Sequence, residues 1–317
     1  MGVLTGCKPR KEVLKGDLQD AIFAADFGDL VADRAPAVYG DATTFFQNTH
    51  PAKQLRKVVE VVFGRLADAK ETGATLRLST GFGGGKTHTL MALWHLAHHI
   101  GDSATGTDLL PAAGRPKTVK CVGIDGIKAG VPTFAQHGMI EVRSLWGELA
   151  FQLGGEQAWK AIKDADSPEA QPNEHEFEKL LPKGPVLILL DELVVYTAGL
   201  SEQGQGNVLG FLKKLASIVG KRPQAVLVVS DPAGQAAYAK QAAQLGKALD
   251  AERKLDEVLA RQMSNFNPVE GEAAQVIVRR LLERVDPAAA QAASATYHAL
   301  YERVMQEMPA ALEPPSF

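Results

Sequence analysis

Residues 79–89 read STGFGGGKTHT, and this stretch decides the fold. Four glycines, Gly81, Gly83, Gly84 and Gly85, run up to Lys86 and Thr87, and a helix-forming run follows at once. Glycine has no Cβ and tolerates positive φ, so successive backbone N–H groups can point into one concavity. A helix that begins where the loop ends adds its unsatisfied amides and the positive end of its dipole. These features together predict a cradle for a phosphate chain. Lys86 supplies a flexible cation for the β- and γ-phosphates, and the Thr87 hydroxyl a ligand for Mg²⁺. Phe82, within the loop, and His88, just beyond it, join the candidate nucleotide contacts. The spacing departs from G-x-x-x-x-G-K-[ST] at one point: position 80 is Thr80, so the first glycine, Gly81, comes one residue late. A flexible surface turn would also collect glycines, and the flanking elements decide between the two.

Those elements alternate. Before the loop, residues 51–70 carry Leu55, Val58, Val59, Val62, Phe63 and Leu66 at helical spacing, and Ala74–Ser79 reads as a short strand. After it, Lys86–Ile100 reads as a helix with Leu90, Leu93, Trp94, Ala97 and Ile100 on one face. A polar loop over 102–117 leads to a strand at Thr118–Ile124, then a helix at Val142–Leu153 ended by Gly154 and Gly155. Residues 164–175, with Pro168 and Pro172, read as loop. Pro185–Leu190 and Ala225–Val229 are wholly apolar, the pattern of strands covered on both faces. Helices are predicted at Val208–Val219, over 234–262 and at Glu270–Val285. Alternating strands and helices predict a parallel α/β sheet, with ligands at the carboxyl ends of its strands.

The apolar run VLILL at 186–190 ends in Asp191 and Glu192. Asp191 is placed to hold Mg²⁺ through its water shell, as a hard oxygen ligand. Glu192 is placed to act as general base on an attacking water. Ser230 closes the next apolar strand, where a polar residue could position that water or the γ-phosphate; Asp231 is the alternative, and either could instead cap the following helix. Arg261 is the first candidate for an arginine acting on the γ-phosphate from a neighbouring subunit, with Arg253, Arg279 and Arg280 as competitors.

Other residues offer less. His95 and His99 stand four apart, but no HExxH pattern or nearby cysteine accompanies them, so His88, His95, His98 and His99 read as polar-face side chains. Trp94, Trp146 and Trp159 are scattered and read as core. There is no Asn-Lys-x-Asp stretch to read guanine, which leaves adenine as the default base.

The 317 residues, 45% hydrophobic and 22% charged, suffice for a large core. A net charge of -3 gives no support to nucleic acid as a partner, although the pairs Lys213–Lys214 and Lys221–Arg222 keep it as a second reading. Cys7 and Cys121 match no metal spacing and read as reduced thiols of a cytoplasmic protein. No apolar run is long enough to span a bilayer, and the first twenty residues lack a secretory pattern.

STGFGGGKTHTLMAL at 79–93, SLWGELAFQLGG at 144–155 and VLILLDELVVY at 186–196 together resemble the large AAA-like P-loop ATPases of domain-of-unknown-function family 499. FFQNTHPAKQL at 45–55 and NPVEGEAAQVIVRRLL at 267–282 fit the same resemblance. It implies an α/β P-loop NTPase of the additional-strand type, a parallel sheet flanked by helices. Residues 1–70 would form a preceding segment, 71–266 the core, and 267–317 the start of a C-terminal helical, lid-like region. ATP and Mg²⁺ binding would fall to Gly81, Gly83, Gly84, Gly85, Lys86, Thr87 and Asp191, with Glu192 as base. The resemblance further implies a bacterial protein linked to phage-defence islands, partnered by copies of itself or by other defence proteins. Members are usually much longer, so a fragment or shortened copy is expected. Three activities follow: an ATPase driving a conformational change, a nucleotide-binding switch that hydrolyses little, or a phosphotransferase.

Overall fold

The computed structural model of the chain describes residues 6–15, 25–79, 85–101, 106, 109–110, 115–230, 253–254, 264–266 and 272–304. Its described strands are β1 (Cys7–Pro9), β2 (Ala74–Leu78), β3 (Lys120–Asp125), β4 (Ala135–His137), β5 (Ile140–Val142), β6 (Val186–Asp191), β7 (Ala225–Ser230), β8 (Ser264–Phe266) and β9 (Leu282–Val285). The chain divides into two units. One holds residues 25–47 and 51–271; the other holds 1–24, 48–50 and 272–317.

The larger unit is built on a five-stranded sheet in the order β3-β6-β7-β2-β8, every described pairing parallel. β7 lies between β2, which precedes the glycine loop, and β6, which ends in Asp191. That inserted strand defines the additional-strand type, and the fold is the α/β P-loop NTPase fold that the sequence predicts. Side chains alternate across each strand, so the two faces build separate cores. Val122, Ile124, Ile188, Leu190, Leu227 and Val229 pack towards the helices Leu145–Lys160, Leu193–Ala198 and Glu202–Lys221. Leu76, Leu78, Cys121, Leu187, Leu189, Val226 and Val228 pack towards Lys53–Ala67 and Lys86–His98. Burial on both faces is why β6 and β7 are unbroken apolar runs.

The helix Lys53–Ala67 buries Leu55, Val58, Val59, Val62, Phe63 and Leu66, the face its spacing predicts. It belongs to the sheet unit together with residues 25–47, which differs from a separate segment over 1–70; its stripe is part of the core beneath β2 and β7. The helix Lys86–His98 differs from the one-faced reading. Leu90, Met91, Ala92, Leu93, Leu96 and Ala97 are all buried, because it lies between β3, β6 and β7 and the short helix Phe27–Val31. His95 is buried with them rather than on a polar face, and its Nε2–H donates to the Tyr39 carbonyl at 2.7 Å. Burial pushes its pKa down, against that hydrogen bond. Among the described residues no group of three or more His, Cys, Asp or Glu side chains could hold a metal ion.

Ser144 caps the helix Leu145–Lys160 by accepting from the Gly147 amide, and the helical path breaks at Gly154 and Gly155. Within 164–175, read as loop, a 3-10 turn covers Lys163–Ala165 and the helix Glu174–Glu178 begins. The helix predicted at Val208–Val219 starts earlier, at Glu202, capped by Ser201. The helix predicted over 234–262 lies almost wholly outside the described residues.

In the smaller unit, the described residues 272–285 of the helix predicted at Glu270–Val285 are not one helix. Ala273–Leu281 is helical, and Leu282–Val285 turns into β9, which pairs antiparallel with β1. The Lys8–Glu283 ion pair at 2.9 Å joins the two strands. A helix Pro287–Val304 follows. No described helix is long and apolar enough to cross a membrane.

Candidate functional site

Parallel strands bring Asp125, Asp191 and Ser230 to one edge of the sheet, at the carboxyl ends of β3, β6 and β7. β2, which the glycine loop follows in sequence, ends at the same edge with Leu78 beside Ser230. The last residue of the glycine loop, Gly85, adopts a left-handed conformation with φ 73° and caps the helix Lys86–His98. There a Cβ would crowd the residue's own carbonyl oxygen at a cost of roughly 1–2 kcal/mol, which favours glycine at the end of the run. The Gly85 carbonyl accepts from both the Thr89 amide and the Thr89 hydroxyl at 2.9 Å, which locks the first turn.

Lys86 begins that helix and is buried. Asp191, at the end of β6, is 1% exposed. Its Oδ1 accepts a short hydrogen bond from the Ser230 hydroxyl. Burial raises the Asp191 carboxyl to about 6, with Asp125 adding to the rise while the Ser230 and Thr87 hydroxyls and the Lys86 ammonium pull it down. The Asp191 carboxylate thus accepts from the Ser230 and Thr87 hydroxyls and lies within reach of the Lys86 charge. The donor set, a carboxylate and two hydroxyls, is made of hard oxygens beside a fixed cation. Such a set suits Mg²⁺ and a phosphate chain rather than a softer metal.

Glu192 follows with φ 47° and ψ 36°, a left-handed conformation that costs a non-glycine residue roughly 1–2 kcal/mol. Its amide faces the Ser230 Oγ at 3.5 Å. His88, a candidate nucleotide contact, stacks on Phe45 with ring centroids 4.5 Å apart. Gly81, Phe82, Gly83, Gly84, Asp231 and Arg261 lie outside the described residues. Arg279 and Arg280 sit on the helix Ala273–Leu281 of the other unit.

Asp125 is a site-edge residue that the motifs do not point to. Its Oδ2 accepts from the Gly28 amide at 3.1 Å and its Oδ1 from the Ile127 amide at 2.8 Å. Burial raises its pKa against those two amides. The sequence signal was the strand CVGID ending in a carboxylate, as VLILLD does.

Residues 3–265 match the family model described as the DUF499 N-terminal domain. A search of the curated proteins returns no match. Among solved structures, the Drosophila ORC bound to DNA is 16% identical, with a TM-score of 0.33; the alignment covers 83% of this chain and 65% of that one. The chain thus spans less than two thirds of that relative, and a likeness of this degree carries no argument about activity.

Proposed function

Because the chain belongs to the DUF499 family, its matched region spanning residues 3–265, we propose that it is an Mg²⁺-dependent ATPase. One observation carries the reading: the buried Asp191 carboxylate at the end of β6 accepts from the Ser230 and Thr87 hydroxyls, the latter at the start of the helix behind the glycine loop, where the Lys86 charge also acts on it. In this reading the loop amides and Lys86 hold the β- and γ-phosphates. Thr87 and Asp191 would hold Mg²⁺, which when bound neutralises charge on the phosphate oxygens. Glu192 accepts a proton from a water whose oxygen attacks the γ-phosphorus. The bond between that phosphorus and the β–γ bridging oxygen breaks, its electron pair leaving with ADP. Ser230, bonded to Asp191 and facing the Glu192 amide, keeps the two acidic residues in register.

The strained Glu192 backbone favours turnover over a silent nucleotide switch, because strain of this kind persists where surrounding structure enforces it at working sites. Coupling of turnover to a conformational change in a phage-defence complex of the cytoplasm rests on the sequence resemblance alone. Phosphate release and nucleotide affinity of Glu192→Gln test the chemical part. The reading expects affinity within a few-fold of wild type and turnover lowered by about 10²–10⁴-fold, the usual share of a general base. Equal turnover would remove Glu192 from the mechanism.

A further inference from the structure

The turn that leaves β3 touches the backbone of Glu192, and its construction leaves room for no side chain. A Cβ added at Gly126 would lie 2.8 Å from Leu193 Cα and closer still to the Glu192 carbonyl oxygen, where ordinary contact begins at 3.4 Å. The Gly126 amide donates to the Asp191 carbonyl at 2.8 Å. The turn itself is pinned by the Asp125 carboxylate, one oxygen on the Ile127 amide and the other on the Gly28 amide. On the opposite side of the same peptide, Ser230 of β7 faces the Glu192 amide. The Asp191–Glu192 peptide is therefore held between the ends of β3 and β7, the two strands that flank β6. Only three described non-glycine residues have positive φ, and Glu192 is one of them.

We infer that Gly126, fixed in place by Asp125, is a positioning residue for Glu192: the bare turn presses on the Glu192 peptide and holds it in the left-handed conformation that aims its carboxylate. The inference rests on the proposed role of Glu192 as general base. It adds the end of β3 as a third strand that shapes the site, beyond those carrying the acidic pair and Ser230. An alanine at position 126 would force the Glu192 peptide to shift by roughly an ångström, a displacement that can cost about 100-fold in rate when it moves a reacting group.

The test compares wild type, Gly126→Ala, Glu192→Gln and the double variant in Mg-ATP turnover, with nucleotide affinity and thermal melting measured alongside. Gly126→Ala is expected to lower kcat by about 100-fold while KM and nucleotide affinity stay within about twofold. In the Glu192→Gln background the same substitution is expected to change the residual rate by less than about twofold, because the group it displaces is already disabled. A purely structural glycine would slow both backgrounds alike, and that result overturns the inference. So does wild-type turnover by Gly126→Ala. If wild type releases no phosphate, or Glu192→Gln matches it, the role of Glu192 fails first and the inference falls with it. Should Gly126→Ala melt below the assay temperature, Asp125→Asn replaces it. This variant keeps the volume but sets an amide NH₂ against one of the two N–H donors. It is expected to lower kcat about tenfold with unchanged affinity and no effect in the Glu192→Gln background; a wild-type rate overturns the inference equally.

Discussion

Replacing Ser230 by alanine removes one hydroxyl from the centre of the site and nothing from the phosphate cradle. Ser230 is 2% exposed, donates to Asp191 Oδ1 and accepts from the Glu192 amide. A hydrogen bond to a charged group contributes about 1.5–3 kcal/mol. At 1.36 kcal/mol per decade, that is roughly a 10- to 150-fold effect. The loss should fall on kcat, since Ser230 holds the acidic pair in register through Asp191 Oδ1 and the Glu192 amide. The assay is steady-state phosphate release at saturating Mg-ATP, with nucleotide affinity from a fluorescent analogue. The expected result is a kcat lowered at least tenfold with affinity within a few-fold of wild type. A kcat within twofold of wild type would refute the reasoning, and so would a loss confined to affinity.

Two further outcomes test the scaffold. Phe63→Ala empties a fully buried position in the core beneath β2 and β7 and should cost about 3–5 kcal/mol in urea unfolding, with a loss below 1 kcal/mol contradicting the packing. The second concerns His95, whose folded pKa burial depresses below its ordinary 6.5. Beneath pH 6.5 the unfolded chain then binds more protons than the folded one, so stability is lost as pH falls from 6.5 towards the folded pKa. His95→Gln keeps a donor for the Tyr39 carbonyl and should flatten that slope, leaving the share of His98, which burial shifts the same way; an unchanged slope would show that His95 does not titrate as described.

Local patterns in the sequence were strong where one face or both faces of an element have a single fate. The six apolar residues of Lys53–Ala67 recur at helical spacing because one side meets the sheet and the other meets solvent. β6 and β7 are legible because burial on both faces leaves no polar position. Elements that depend on distant partners were harder to read. Residues 282–285 continue a helical pattern and become strand only because Cys7–Pro9 pairs with them from the far end of the chain. The start of the helix Glu202–Lys221 was obscured by Gly204 and Gly206, although Ser201 is a sound cap. In the site, Lys86, Thr87, Asp191, Glu192 and Ser230 stand out by motif and by strand ends. Asp125 shows only as the last residue of a strand and Gly126 not at all, since their part depends on the close approach of the ends of β3 and β6, at Asp125 and Asp191.

The central claim is that the start of the helix Lys86–His98, with the glycine loop before it, grips a triphosphate. Titration of wild type and Lys86→Ala with a fluorescent ATP analogue in the presence of Mg²⁺ tests it most directly. Removing the ammonium should weaken binding by roughly 10- to 150-fold, the range for a charge-assisted hydrogen bond. Equal affinity in the two proteins would contradict it.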